Sequence, residues 1–109
     1  MAIGIDIVYI PRMRNKDVLA KRILSPEEFT IYSKRMDKDE FLAGRFAAKE
    51  AFLKAKRSGV GQVPFHTISV IYDSNGAPVL LFNNQKYEVS ISHDGEYAVA
   101  VVIIEEMKK

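Results

Sequence analysis

The chain predicts one α+β domain: an N-terminal strand, three helices, then an antiparallel β-meander. Three observations carry this prediction. After Gly61 the apolar spacing changes from helical to alternating. Before it, Ser25-Pro26-Glu27-Glu28 has the form of a capping box, and residues 41–55 form a run rich in Ala, Leu, Lys and Glu. Beyond it, turn signals at Ser74-Asn75-Gly76, Asn83-Asn84 and Asp94-Gly95 cut the chain into short strands. With 109 residues, 48% of them hydrophobic, the chain is one domain spanning residues 1–109 with a modest core.

The elements follow in order. Residues 2–10 read as a buried strand, because β-branched residues surround a single acid in Gly4-Ile5-Asp6-Ile7-Val8. Pro11 can open a helix, and Met13, Val18, Leu19 and Ile23 continue it to residue 23 at loose helical spacing. The capping box starts a second helix that should end near Met36. Asp37 and Glu40 repeat the acid-x-x-Glu arrangement and open the long third helix. Its apolar stripe is Phe41, Ala48, Phe52 and Ala55, and Gly59 is its expected stop. Ile68, Val70 and Tyr72 then alternate with Ser69, Ile71 and Asp73. Val79 to Phe82 is a short strand, and residues 87–93 and 96–104 form a hairpin across Asp94-Gly95.

Composition narrows the function. There is no cysteine, which excludes a disulfide scaffold and thiol catalysis and fits a cytoplasmic, reducing setting. No basic region followed by a long apolar run marks a secretory signal. The apolar stretch Tyr97 to Ile104 is far shorter than the ~20 residues a membrane helix needs, so no membrane role is expected. Net charge is only +2, yet Arg12, Arg14, Lys16, Lys21 and Arg22 face a single acid, Asp17, within residues 11–22. Such a patch suits an acidic partner; it also serves as an ordinary solvated helix face.

Three segments hold candidate chemistry. Glu50 and Lys54 lie one turn apart on the long helix and can serve a metal and a phosphate together, although such pairs are most often surface salt bridges. Asp6 inside an apolar strand needs a partner: a metal ion, a backbone cap or a basic side chain. His93 ends the strand Val89-Ser90-Ile91-Ser92-His93. It shares a face with Val89 and Ile91, while Ser90 and Ser92 occupy the other. Taken alone, it is more often structural than catalytic.

Together these segments resemble the holo-acyl-carrier-protein synthases, the small type of 4′-phosphopantetheinyl transferase. The family motifs appear as Gly4-Ile5-Asp6-Ile7, as Phe46-Ala47-Ala48-Lys49-Glu50-Ala51-Phe52-Leu53-Lys54, and as Ser90-Ile91-Ser92-His93. Order and separation fit over nearly the whole chain. Asp73-Ser74-Asn75-Gly76-Ala77-Pro78 resembles a further family segment, with Ala77 where a Lys is usual. The segment after Pro78 is short, which leaves little room for the helix some relatives have there.

The resemblance implies the 4′-phosphopantetheinyl transferase fold and transfer of 4′-phosphopantetheine from coenzyme A to a serine of an acyl carrier protein. It implies Mg2+ held by Asp6 and Glu50, with Lys54 at a phosphate. Arg45, Lys54, Ser92 and His93 would contact the coenzyme, and Arg12, Met13 and Arg14 the carrier protein. It also implies a homotrimer with sites between subunits, working in fatty-acid and lipid biosynthesis. The rival from another class is a basic α+β nucleic-acid-binding module. Tyr72, Tyr87 and Tyr97 do not form the motif it needs, and it leaves Asp6 and Glu50 unexplained; no nucleic-acid partner is therefore expected.

Overall fold

The structure, a computed structural model, describes residues 1–57 and 63–105. The expected helix stop at Gly59 and the change of pattern at Gly61 lie outside the described residues. Strand β1 spans Ala2–Tyr9 and a 3-10 turn follows at Ile10–Met13. Helices α1 (Asp17–Ile23), α2 (Pro26–Ser33) and α3 (Lys38–Lys56) come next. A second 3-10 turn at Phe65–Thr67 leads into β2 (Ser69–Tyr72), β3 (Pro78–Phe82), β4 (Gln85–Asp94) and β5 (Tyr97–Ile104). The five strands form one antiparallel sheet in the order β1-β5-β4-β3-β2.

The expected α+β plan holds, with local corrections. The first helical segment is two pieces, because Asn15 takes a left-handed φ of 55° between the 3-10 turn and α1. Asn tolerates that conformation better than most residues. Helix α2 stops at Ser33, before the expected Met36. Its capping box forms as expected: the Ser25 amide donates to Glu28 Oε1 at 2.8 Å and the Glu28 amide donates to Ser25 Oγ at 3.3 Å. Asp37 precedes α3 but caps nothing with its side chain, since Arg35 holds both its oxygens at 2.7 Å. Between β3 and β4, Asn83 and Asn84 both have positive φ (52° and 64°), making a tight turn in place of a helix.

Helix α3 lies across one face of the sheet and is itself buried on most sides. Phe41, Leu42, Ala43, Ala47, Ala48, Ala51, Phe52 and Leu53 are all within 3% of complete burial. Its alanines let backbone approach backbone. Against β1 the approach is closest at Gly4: a Cβ there would sit 1.8 Å from the Ala51 carbonyl oxygen. No side chain fits that gap. The second such place is Gly44, where a Cβ would meet Ile91 Cγ2 at 3.1 Å.

Register then decides what faces α3. Asp6 pairs with Ala100, which pairs with Ile91; Val8 pairs with Ala98, which pairs with His93. The inward rows therefore carry Gly4, Asp6 and Val8 on β1, Ala98, Ala100 and Val102 on β5, and Val89, Ile91 and His93 on β4. The expectation of a buried strand at β1 is corrected for one of its faces. Its outward residues Ile3, Ile5 and Ile7 are 63%, 58% and 60% exposed, because α3 covers only the other side.

Candidate active site

The Gly4 contact sets Asp6 beside the last two turns of α3. Lys54 reaches from the helix to the strand, donating to the Ile5 carbonyl at 2.9 Å and to Asp6 Oδ1 at 3.1 Å. Asp6 is largely covered, with 16% of its side chain exposed, while Lys54 is 56% exposed. Glu50 lies one turn before Lys54 and is partly buried. Burial pushes its carboxyl above the ordinary value of 4.5; the negative charge of Asp6 pushes the same way, and Lys54 and Arg12 pull it back. Asp6 and Glu50 thus repel across a shared site, and Lys54 and Arg12 ease the repulsion.

A second cluster gathers where α3 begins. A cavity of about 220 Å³ is lined by Arg35, Glu40, Phe41, Arg45, Ile91 and His93, among others. His93 Nε2 lies 3.0 Å from Glu40 Oε2. Arg45 is 5% exposed, with its guanidinium carbon 4.1 Å from the Phe41 ring centroid and 5.2 Å from that of Tyr72. One of its nitrogens donates to the Val70 carbonyl at 3.4 Å, whereas Nε is buried and has no hydrogen-bond partner among the described residues. A buried guanidinium with spare donors beside a cavity is suited to an anion.

One chain does not merge the two clusters. Glu40 and Glu50 are ten residues apart on α3, a rise of about 15 Å. Ser92, expected at the coenzyme site, lies on the opposite sheet face from His93, pairing with Val99. Met13, expected on a partner-facing surface, is corrected: it is 3% exposed and belongs to the core, leaving Arg12 and Arg14 on the outside. Tyr87 is not displayed for base stacking either, since its ring packs 4.9 Å from that of Phe52.

Sequence reasoning missed two features. The first is Glu40, which was read only as part of a helix opening. The second is the buried pair of Glu28 and Lys49. Lys49 donates to Glu28 Oε1 at 2.5 Å and to the carbonyls of Ile23 and Phe65 at 2.6 and 3.1 Å. The Val70 amide donates to Glu28 Oε2 at 2.6 Å. Both side chains have no exposure, and burial pulls the Lys49 ammonium below its ordinary range. The signal for the pair was its capping box on one side and the residue before Glu50 on the other, with nothing to connect them.

Among the described residues, no group of three or more His, Asp or Glu side chains gathers as a ready metal cage. The donor set still fits magnesium. That ion takes one or two carboxylates, keeps waters and fills its remaining positions with substrate phosphate oxygens. Two mutually repelling carboxylates beside a movable ammonium form such a set.

Comparison with known proteins agrees with the motifs. The family described as the 4′-phosphopantetheinyl transferase superfamily matches residues 2–102. A holo-[acyl-carrier-protein] synthase from Geobacillus sp. (strain WCH70) is 45% identical, covering 98% of this chain and 98% of its own. One from Staphylococcus saprophyticus is 42% identical, covering 94% and 96%. Among solved structures, the Bacillus anthracis synthase in complex with CoA (3′,5′-ADP) superposes with a TM-score of 0.82 at 41% identity, covering 93% of this chain and 92% of that one. The Helicobacter pylori synthase in complex with coenzyme A gives 0.82 at 35% identity, covering 94% and 99%. Motifs, fold and relatives agree, and the chain belongs to the 4′-phosphopantetheinyl transferase superfamily.

Proposed function

We propose that this chain transfers the 4′-phosphopantetheine group of coenzyme A to a serine of an apo acyl carrier protein, releasing adenosine 3′,5′-bisphosphate. The observation that carries the reading is the cluster of Asp6, Glu50 and Lys54, assembled by the Gly4 contact with α3. It is supported by full-length relatives that are holo-[acyl-carrier-protein] synthases, two of them solved with coenzyme A or its 3′,5′-ADP part.

In the reaction the serine oxygen bonds to the β-phosphorus of the pyrophosphate, and the bond from that phosphorus to the bridging oxygen breaks. The adenosine 3′,5′-bisphosphate leaves with the bridging oxygen, and the serine proton passes to that leaving phosphate or to solvent. Catalysis of such a step rests on positioning and charge neutralisation. Asp6 and Glu50 would hold Mg2+, which supplies positive charge at the pyrophosphate. Lys54 offers an exposed ammonium to a phosphate oxygen once it parts from Asp6. Arg45 and His93 offer donors to another anionic group of the coenzyme, and Arg12 and Arg14 an encounter surface to an acidic carrier protein.

The site is shared between identical subunits, and the assembly is a homotrimer. Three features support this: the separation of the two clusters, the opposite facing of Ser92 and His93, and the uncovered apolar face of Ile3, Ile5 and Ile7. The setting is the cytoplasm, in fatty-acid and lipid biosynthesis, where holo carrier proteins are used.

The test is incubation with coenzyme A, Mg2+ and apo acyl carrier protein, followed by intact mass. The carrier protein should gain one phosphopantetheine, and chelation of the metal should stop the gain. An unmodified carrier protein, with a folded transferase and fresh coenzyme A, would remove the assignment.

A further inference from the structure

We infer that Glu40 is a positioning residue for His93. The inference rests on the reading above, which places His93 at the coenzyme. His93 stands near the end of β4, two residues before the left-handed Gly95 (φ 57°), and its side chain is 52% exposed. Packing alone does not hold such a ring. The group that reaches it is the Glu40 carboxylate, 3.0 Å from Nε2.

The frame around this contact is rigid. Glu40 lies in the first turn of α3, immediately before the buried Phe41 and Leu42. Four residues on, Gly44 lets the helix close on Ile91, two residues before His93 on the same strand. Helix and strand are thus pinned within one turn of the pair, which fixes the distance the two side chains must span. The neighbouring acid cannot replace Glu40, because both oxygens of Asp37 are held by Arg35 at 2.7 Å.

The pair also borders the cavity that the buried Arg45 helps to line. With Glu40 on Nε2, Nδ1 has no protein partner among the described residues, and in the imidazolium form it is a second donor free for an anion. Glu40 therefore presets the imidazole at the mouth of an anion pocket. An arriving phosphate group meets a ring already ordered, and the cost of immobilising it falls on folding rather than on binding.

The experiment is a double-mutant cycle on the full-length protein, read as KM for coenzyme A and kcat in the transfer assay, with melting temperature as a control. Glu40→Ala should raise KM about five- to tenfold, the scale of ordering one side chain on binding, with kcat within about twofold. Melting should hardly move, because a partly exposed pair adds little stability. His93→Ala should raise KM at least as much, and adding Glu40→Ala to it should change nothing further. An equal KM penalty for Glu40→Ala with or without His93 would overturn the inference, and so would no penalty in a protein that His93→Ala impairs. If His93→Ala itself leaves KM untouched, both the inference and the placing of His93 at the coenzyme fall. Should Glu40→Ala fail to fold, Glu40→Gln fills the same space without the charge and is read in the same cycle.

Discussion

At the scale of single residues, two carboxylates and one ammonium set the chemistry. Asp6→Ala and Glu50→Ala should each lower transfer by at least ~2 orders of magnitude, since metal charge stabilisation is worth several kcal/mol. Both proteins should keep a native circular-dichroism spectrum, because each loses an acid whose charge is disfavoured by cover or by its neighbouring acid, and no packed apolar group. Near-normal turnover by folded Asp6→Ala would remove its metal role. Glu50 also predicts a pH effect. Its folded carboxyl titrates above its ordinary 4.5, so between the two values the native state holds the proton the unfolded chain has lost. Its contribution to stability is full below the ordinary value and is lost as pH rises through the folded one. Glu50→Gln should therefore stabilise the metal-free protein at neutral pH, and the gain should vanish below about pH 4 in denaturant titrations. Arg12 is exposed, yet its charge is felt at Glu50. Arg12→Glu should slow encounter with the carrier protein and flatten the salt dependence of that rate, while coenzyme A affinity stays nearly constant. Stopped-flow association at several ionic strengths measures both.

At the scale of elements, the contact of β1 with α3 matters most. Gly4→Ala would drive a methyl into the Ala51 carbonyl, 1.8 Å away, so strand and helix must part. We expect a loss of about 1–3 kcal/mol or more, together with a loss of activity, as Asp6 moves off Lys54. Lys49 ties α3 to the end of α1, to α2 and to the Phe65 turn at once. Removing one partner of its pair, as in Lys49→Met or Glu28→Gln, should cost about 3–5 kcal/mol; the double replacement should cost less than the sum. Much of this level was legible beforehand. The capping box, the stripe of Phe41, Ala48, Phe52 and Ala55, and the alternation in β4 all follow from local periodicity. What escaped depends on which groups the fold brings together and which faces it leaves open. A lysine in a helical pattern reads as surface until Glu28 is known to face it. Asp37 reads as a cap until Arg35 is seen to hold it. The outward isoleucines of β1 read as core because β-branched alternation looks the same on a covered and an uncovered face.

At the scale of the whole molecule, that uncovered face carries the prediction of assembly. Ile3, Ile5 and Ile7 form an apolar stripe on β1, and Val99, Val101 and Ile103 of the paired β5 continue it. Closed three-fold association would cover it and unite the two clusters of the site across subunits. Light scattering should report a trimer, and specific activity should fall on dilution below its dissociation constant; a fully active monomer would defeat the claim. The sheet also imposes an order in time. β2 to β5 pair with their chain neighbours, but β1 pairs only with β5, from Tyr9 against Tyr97 to Ala2 against Ile104. A strand emerging from the ribosome with Asp6 on it therefore waits, without a strand partner, until β5 has been synthesised. We expect closing so long a loop to be the slow event of folding. The Asp6–Lys54 contact joins β1 to α3 and is secured once β1 has also paired with β5, so an enzyme refolded from denaturant should regain its helical signal before its activity.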